Sequence, residues 1–326
     1  MRIKSIITGV SGYVPKNILS NFKLEKKINT TSKWIKNRTG IEERRILEKK
    51  EKASSFMGVK AVKKLLKKTK TDPKVIELII CATITPDLTF PSTGSIISKK
   101  VGAINAFSYD LQAACSGFLY AMITGSQFIE TGKYKKIIIV GVDKMSSIID
   151  YKDRSTCIIF GDGAGAILLE PNKKLGIIDS ILKTDGKGKK YLNQKSGGSI
   201  SPPSYKTILN KEHYLYQNGK IVFKIAVKSL ILVMNQIIKK NRIKKEKINF
   251  FILHQANKRI LEIVAKKMFI EKKKIIITID KFGNTTNATI PICLWKHEKK
   301  FKKGDKMIFS VFGAGFSWGS IYLKWA

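Results

Sequence analysis

The chain has 326 residues, a length that allows two domains or one domain built of two similar halves. It carries 62 basic and 24 acidic residues, and the formal net charge of +38 would suit an acidic partner such as nucleic acid, anionic lipid or an acidic protein. Its four cysteines form no C-x-x-C pair, which argues against a disulfide framework and against a cysteine-based zinc site.

The lysine excess is spread as short runs over polar segments, for example at residues 239–240 and 272–274, and is most simply a solvated surface. The N-terminal apolar run is too short for a signal peptide, and no uninterrupted apolar stretch has the length of a bilayer. We therefore expect a cytoplasmic protein without membrane insertion and without a bound metal.

Apolar runs of strand length alternate with longer amphipathic stretches along the chain, and this alternation predicts an α/β protein. The predicted helices span residues 53–67, 116–131, 221–239 and 288–297. The predicted strands span residues 78–85, 106–111, 136–142, 166–169, 250–253, 307–312 and 320–324.

A coarse internal repeat relates the two halves of the sequence. Residues 75–86 resemble residues 248–257 in pattern, and residues 136–143 resemble residues 306–313, with a break near residues 171–174. The repeat predicts two related α/β halves, residues 1–172 and 173–326, that face each other and share one site.

Cys115 lies where an extended segment gives way to an apolar helix, with small residues on both sides. Such an elbow exposes the sulfur, and the N-terminus of a helix favours the thiolate, which is the nucleophilic form. A cysteine in an apolar setting can equally be a small core residue, so this segment alone leaves both interpretations open.

Two further side chains lie at the ends of predicted buried elements. His254 follows a predicted strand and precedes a polar turn, whereas His213 and His297 lie in charged segments that look exposed to solvent. Asn284 lies in a Gly-Asn turn, where turn chemistry alone would also explain it. A thiol, an imidazole and a carboxamide together indicate acyl chemistry, although a cysteine protease would use the same three groups.

Two glycine-rich turns, residues 160–166 and 312–319, lead into strands and not into helix N-termini, which argues against a dinucleotide-binding loop. Glycine at these turns would allow close backbone approach, and the second turn could direct N–H groups at a bound carbonyl oxygen.

Six motifs occur in order along nearly the whole chain. They are Trp-Ile-x-x-Arg-Thr-Gly-Ile from Trp34, Ala-Ala-Cys-Ser-Gly around Cys115, Phe-Gly-Asp-Gly-Ala-Gly around Asp162, His-Gln-Ala-Asn-Lys-Arg from His254, Gly-Asn-Thr around Asn284, and the C-terminal glycine turn. Together they resemble the β-ketoacyl-acyl-carrier-protein synthase III family. The resemblance implies the thiolase fold, with two duplicated α/β halves in five α-β-α-β-α layers, and a homodimer.

The resemblance also implies a reaction with no cofactor, in which acyl-CoA is a substrate. Cys115 would take a short acyl group, typically acetyl, from coenzyme A, and malonyl-acyl-carrier protein would then lose carbon dioxide and attack the acyl-cysteine. His254 Nε2 and the Asn284 side-chain N–H would stabilise the malonyl oxyanion. The backbone N–H groups of Cys115 and Ala314 would hold the oxyanion of acyl transfer.

Other roles are implied by position in the family's motifs. Phe90 would reach from one subunit into the acyl pocket of the other, and Trp34, Arg38 and Arg154 would bind coenzyme A. The acyl-carrier protein would contact Gln255, Ala256, Asn257, Lys258 and Arg259.

The sequence departs from the family at Gln217 and Lys220, so the starter group stays open. The alternatives are a related condensing enzyme with a longer or branched starter or a coenzyme A-linked acceptor, and a Cys-His hydrolase. No aromatic-and-basic motif supports a nucleic-acid-binding protein.

Overall fold

The computed structural model describes residues 3–48 and 52–326. The strands are β1 (Lys4–Tyr13), β2 (Ile18–Ser20), β3 (Glu43–Arg45), β4 (Leu78–Ala82), β5 (Phe107–Leu111), β6 (Ile137–Asp143), β7 (Gly163–Asn172), β8 (Gly176–Thr184), β9 (Leu192–Gln194), β10 (Leu215–Gln217), β11 (Phe250–Leu253), β12 (Lys306–Gly313) and β13 (Ser317–Lys324). The helices are α1 (Asn21–Glu25), α2 (Ser32–Thr39), α3 (Ser54–Thr69), α4 (Thr93–Val101), α5 (Gly117–Glu130), α6 (Arg154–Cys157), α7 (Tyr205–Leu209), α8 (Gly219–Lys240), α9 (Lys258–Lys267), α10 (Ile279–Phe282) and α11 (Thr289–His297).

The first of two main sheets has the strand order β1-β7-β6-β4-β5. Strand β4 runs parallel to β5 and β6, whereas β7 runs antiparallel to β6 and to β1. Every residue of β4 and β6 is buried. Continuous apolar sequence of this kind forms strands that are covered on both faces of the sheet.

The second main sheet has the order β11-β12-β13-β8 and repeats the same succession of strand directions. Strand β11 is parallel to β12, and β13 is antiparallel to β12 and to β8. An isolated parallel bridge from Phe251 to Ile275 continues the pattern beyond β11. The two halves are therefore duplicates in topology, as the internal repeat predicts. Two small two-stranded sheets, β2-β3 and β9-β10, accompany them.

Helices cover both sheets in five layers. Helices α3 and α4 pack on the outer face of the first sheet through a cluster that includes Leu65 and Ile97. Helices α5 and α11 lie between the two sheets, where Phe118 and Leu294 belong to the central hydrophobic core. Helices α8 and α9 contribute to a third cluster with Phe251. The prediction of a five-layer thiolase fold is confirmed.

The predicted elements agree with the observed ones at most positions. The helices predicted at residues 53–67, 116–131, 221–239 and 288–297 correspond to α3, α5, α8 and α11. Strands β1 and β8 were not predicted from the sequence, although both lie in the main sheets. The predicted boundary at residues 172 and 173 falls in the turn between β7 and β8, and the division into two domains stays a prediction.

Helix α8 is long and apolar enough to cross a membrane by length and composition, with a mean hydropathy of 1.9 over 18 residues, of which 44% are buried. It contains lysines at positions 220, 224 and 228 that interrupt the apolar sequence. Its buried face packs on β12 and β13. A core helix has the same properties, so this single helix is weak evidence for membrane contact.

Candidate functional site

One cavity of about 590 Å³ is lined by Cys115 from the first half and by His254, Asn284 and Ala314 from the second. Each of these residues lies in a segment that follows a strand or a short helix. Cys115 follows β5, His254 follows β11, and Ala314 follows β12. The structure thus brings together the three side chains that the sequence singles out, at the boundary between the two halves.

The Cys115 elbow is a single 3-10 turn, Ala114–Ser116, between β5 and α5. The hydroxyl of Ser116 donates to Ser317 O at 3.0 Å, and the hydroxyl of Ser317 donates to Ala113 O at 3.1 Å. A Cβ atom on Gly313 would lie only 2.8 Å from Cys115 N, so glycine is required for this approach. These contacts hold the second glycine turn against the cysteine.

His254 is buried, and its imidazole is held by a neighbouring hydroxyl. Its Nδ1 lies 2.7 Å from Thr289 Oγ1, and Thr289 Oγ1 lies 2.9 Å from Thr286 O. Burial lowers the pKa of His254 to about 3. Because charging a buried imidazole is unfavourable, His254 is neutral at pH 7.

The Asn284 carboxamide has its orientation fixed by the backbone that follows it. Thr286 N donates to Asn284 Oδ1 at 2.9 Å, which leaves Nδ2 to serve as a donor in the cavity. Asn284 N in turn donates to Ile159 O at 2.9 Å. Gly283 has a φ of 62°, and a Cβ there would lie 2.7 Å from Ile159 O, so glycine is required immediately before Asn284.

Asp143, at the end of β6, is a buried acid to which the sequence assigned no role. Its Oδ1 accepts hydrogen bonds from Ile84 N at 2.7 Å and Thr83 Oγ1 at 3.1 Å. Its Oδ2 accepts from Asn287 Nδ2 at 2.9 Å and from Thr286 Oγ1. Burial raises the pKa of Asp143, and these hydrogen bonds oppose that rise. Asp143 therefore ties the loop after β4 to the segment that carries Asn284.

The pKa of the Cys115 thiol is shifted in the direction opposite to the one that the helix N-terminus favours. Burial raises the pKa of Cys115 to about 12, the negative charge of Asp143 raises it further, and a backbone hydrogen bond opposes them. Helix α5 begins two residues later, at Gly117. Removal from water therefore outweighs the helix N-terminus, and thiol and imidazole are both neutral at pH 7.

The residues predicted to bind coenzyme A lie together. The guanidinium carbon of Arg154 is 4.8 Å from the centroid of the Trp34 ring, and that of Arg38 is 5.8 Å away. Trp34 and Arg38 line the cavity, and Arg154 donates to Asn29 O at 2.9 Å. An aromatic face between two cations is chemically suited to an anionic, aromatic ligand.

The segment after His254 divides into a buried and an accessible part. Gln255 is 1% exposed. Its Nε2 donates to Leu253 O at 2.7 Å, and its Oε1 accepts from Thr278 N at 2.9 Å. The prediction that Gln255 contacts a carrier protein is therefore wrong, because its side chain has its polar partners inside the protein. Ala256, Asn257, Lys258 and Arg259 remain partly exposed.

Phe90 is 83% exposed and does not line the cavity of Cys115. A second cavity, of about 1310 Å³, lies on the other side of the elbow and is lined by apolar side chains such as Ile123, Phe128 and Leu182. It reaches Ala114 and Ala314, so the two cavities meet at the residues that flank the cysteine. Within residues 3–48 and 52–326, no group of three His, Cys, Asp or Glu side chains could hold a metal ion.

Comparison with known proteins places these features in one family. The sequence model of 3-oxoacyl-[acyl-carrier-protein] synthase III matches residues 109–186, and the model of its C-terminal part matches residues 238–325.

Individual relatives match over nearly the whole chain. β-Ketoacyl-[acyl-carrier-protein] synthase III 2 of Bacteroides thetaiotaomicron is 53% identical over 99% of this chain and 97% of its own length. The synthase III of Phocaeicola vulgatus is 50% identical with the same coverage. The crystal structure of 3-oxoacyl-[acyl-carrier-protein] synthase III from Aquifex aeolicus superposes with a TM-score of 0.91 at 37% identity, over 98% of this chain and 100% of that one. The chain belongs to the β-ketoacyl-[acyl-carrier-protein] synthase III family of acyl-transferring condensing enzymes.

Proposed function

We propose that the chain initiates fatty-acid synthesis by a decarboxylative condensation in which Cys115 carries the acyl group. A short acyl-CoA, typically acetyl-CoA, donates that group, and malonyl-acyl-carrier protein accepts it to give 3-oxoacyl-carrier protein, coenzyme A and carbon dioxide. The observation that carries the proposal is one cavity that holds a thiol beside an imidazole and a carboxamide, each of which has a hydrogen bond that holds its position.

In the first half-reaction, the sulfur of Cys115 attacks the thioester carbonyl of acyl-CoA. The bond from carbonyl carbon to the coenzyme sulfur breaks, and the proton lost by Cys115 ends on the released coenzyme A thiol. The backbone N–H groups of Cys115 and Ala314 are the proposed donors to the tetrahedral oxyanion. The close approach of Gly313 to Cys115 N supports this, together with the fact that Ala314 and Cys115 line the same cavity.

In the second half-reaction, the malonyl thioester loses carbon dioxide and its thioester oxygen gains negative charge. His254 Nε2–H and Asn284 Nδ2–H donate to that oxygen. The enolate carbon then attacks the acyl-Cys115 carbonyl, the carbon–sulfur bond to the enzyme breaks, and the released Cys115 sulfur takes up from solvent the one proton that the whole reaction consumes. A neutral imidazole suits this step because it donates a hydrogen bond without a buried charge in the resting enzyme.

The two substrates would reach the cavity over basic surface. We propose that Trp34 stacks on the adenine of coenzyme A, with Arg38 and Arg154 at its phosphates. This binding mode requires an arginine guanidinium to move off the Trp34 ring. We propose that the acidic carrier protein contacts residues 256–259, with Arg259 the central charge. Arg259 lines the cavity, which supports its position at the entrance.

We further propose a cytoplasmic homodimer that uses no cofactor. Strand β5 is one of the two edge strands of the first sheet, and Phe107 at its start is exposed beside Phe128 and Tyr134. Paired edges and a covered aromatic cluster are typical of subunit contacts. In such a dimer the exposed Phe90 would enter the apolar cavity of the other subunit and limit the length of the acyl group.

The choice of starter is tested with a panel of acyl-CoA primers and malonyl-carrier protein, read by product mass. We expect acetyl-CoA to give 3-oxobutyryl-carrier protein, with longer and branched primers slower, and Cys115→Ala to give none. If every primer is hydrolysed without a 3-oxoacyl product, the chain acts as a Cys-His hydrolase and the proposal is wrong.

The division of labour between thiol and donors is tested by separating the half-reactions. His254→Ala and Asn284→Ala should still acetylate Cys115, but should decarboxylate malonyl-carrier protein on the order of 10²–10³-fold more slowly, because each removes an oxyanion donor. Cys115→Ala should behave in the opposite way. His213→Ala, outside the cavity, is the matched control. Normal condensation by either donor variant would contradict these roles.

The state of the resting thiol is tested by alkylation of the free enzyme with iodoacetamide, located by mass spectrometry. Since the pKa of Cys115 is raised to about 12, its thiolate fraction should rise about tenfold per pH unit from pH 7 to 10. Cys81, Cys157 and Cys293 are buried and serve as internal controls. A rate that is already level between pH 7 and 8 would mean that the thiolate exists at rest.

A further inference from the structure

Thr289, the first residue of α11, holds the side of the His254 ring that faces away from the cavity. It is 2% exposed, and its Oγ1 lies 2.7 Å from His254 Nδ1. In the structure its hydroxyl is placed to donate to Thr286 O, at 2.9 Å, so donation to Nδ1 takes the single hydroxyl proton from that contact. In the part of the chain that the structure describes, no carboxylate contacts this ring nitrogen, and burial is the cause of the low pKa of His254.

The partner of Nδ1 decides which chemistry Nε2 can perform. When the partner is a carboxylate, Nδ1–H donates a hydrogen bond to it, and the unprotonated Nε2 can act as a base, as in hydrolase triads. A hydroxyl can instead donate to Nδ1, and the neutral ring then carries its proton on Nε2. Thr286 O does not need the hydroxyl as its hydrogen-bond donor, because it already accepts a hydrogen bond from the backbone N–H of Thr289.

We propose that Thr289 is a positioning residue that donates its hydroxyl proton to His254 Nδ1 and so keeps a neutral Nε2–H directed into the cavity. This rests on the proposed function, in which His254 donates to the malonyl oxyanion. The same segment sets the second donor, because Thr286 N occupies Asn284 Oδ1. One short stretch, residues 284–289, therefore orients both donors of the decarboxylation step.

The tautomer is measured directly by ¹⁵N NMR of histidine-labelled full-length enzyme. The chain has three histidines, so the His254 signals are assigned by their loss in His254→Gln. We expect the wild type at pH 7 to carry the proton on Nε2, with Nδ1 as a hydrogen-bonded acceptor. Thr289→Ser should keep this tautomer, and Thr289→Val should not hold it. A wild-type ring protonated on Nδ1 would overturn the proposal.

The kinetic test uses the same variants in the two half-reactions. Thr289→Val should slow malonyl decarboxylation by about tenfold or more and leave acetylation of Cys115 within about twofold, because only a donor in the second step is affected. Thr289→Ser should restore decarboxylation. Thr285→Val, a buried threonine of the same segment outside the cavity lining, is the matched control for packing, with thermal unfolding measured for each.

The outcomes distinguish the positioning role of Thr289 from the donor role of His254. If Thr289→Val decarboxylates like the wild type while His254→Ala does not, the positioning role of Thr289 is wrong and the donor role of His254 stands. If His254→Ala also decarboxylates normally, the proposed function of His254 fails first, and the role of Thr289 falls with it.

Discussion

The buried carboxylate of Asp143 is the constraint on which the geometry of the site depends. One oxygen takes donors from residues 83–85 of the first half, and the other takes donors from residues 286–287 of the second. Asn287 extends the link, because its Oδ1 accepts the N–H of Phe118 in the first turn of α5, at 3.0 Å. An unpaired buried carboxylate would be strongly unfavourable, so these donors are held wherever Asp143 is ionised. The nucleophile and the segment that carries its partners are thereby fixed to one another.

The same arrangement determines the charge state of the site. Removal from water and the nearby charge of Asp143 raise the pKa of Cys115, and burial lowers the pKa of His254, so both shifts disfavour a thiolate–imidazolium pair in the resting cavity. Neutral donors fixed in position act on charge only when it develops, which is the requirement of a decarboxylation that passes through an enolate. In the proposed mechanism, Cys115 loses its proton within the complex with acyl-CoA, and that proton ends on the released coenzyme A thiol.

The sequence predicted the central elements well because their signals are local. Continuous apolar runs mark β4, β6, β11 and β12, and His254 lies where β11 ends. Cys115 lies in the turn between β5 and the apolar helix α5. Strand β1 was not predicted because it has glycine at positions 9 and 12, where the backbone packs against Thr69 and Trp295. Without apolar side chains at these two positions, the sequence lacks the apolar pattern of a strand. The burial of Gln255 and the contacts of Asp143 involve partners 21 to 144 positions away, which periodicity cannot reveal. The thiolate was expected from the helix N-terminus alone, without the burial that opposes it.

The claim that Asp143 holds the two parts of the site together is tested most directly by Asp143→Asn. Both half-reactions are measured on enzyme whose thermal unfolding has been checked. In the variant, the NH₂ group of the asparagine replaces one of the two carboxylate oxygens and faces hydrogen-bond donors that it cannot accept. The 284–289 segment should therefore lose its fixed position, and malonyl decarboxylation should fall by about tenfold or more. Loss of the charge should at the same time lower the pKa of Cys115, so its alkylation at pH 8 should be as fast as in the wild type or faster. Decarboxylation at the wild-type rate in a normally folded variant would contradict the claim that Asp143 holds the two parts of the site together.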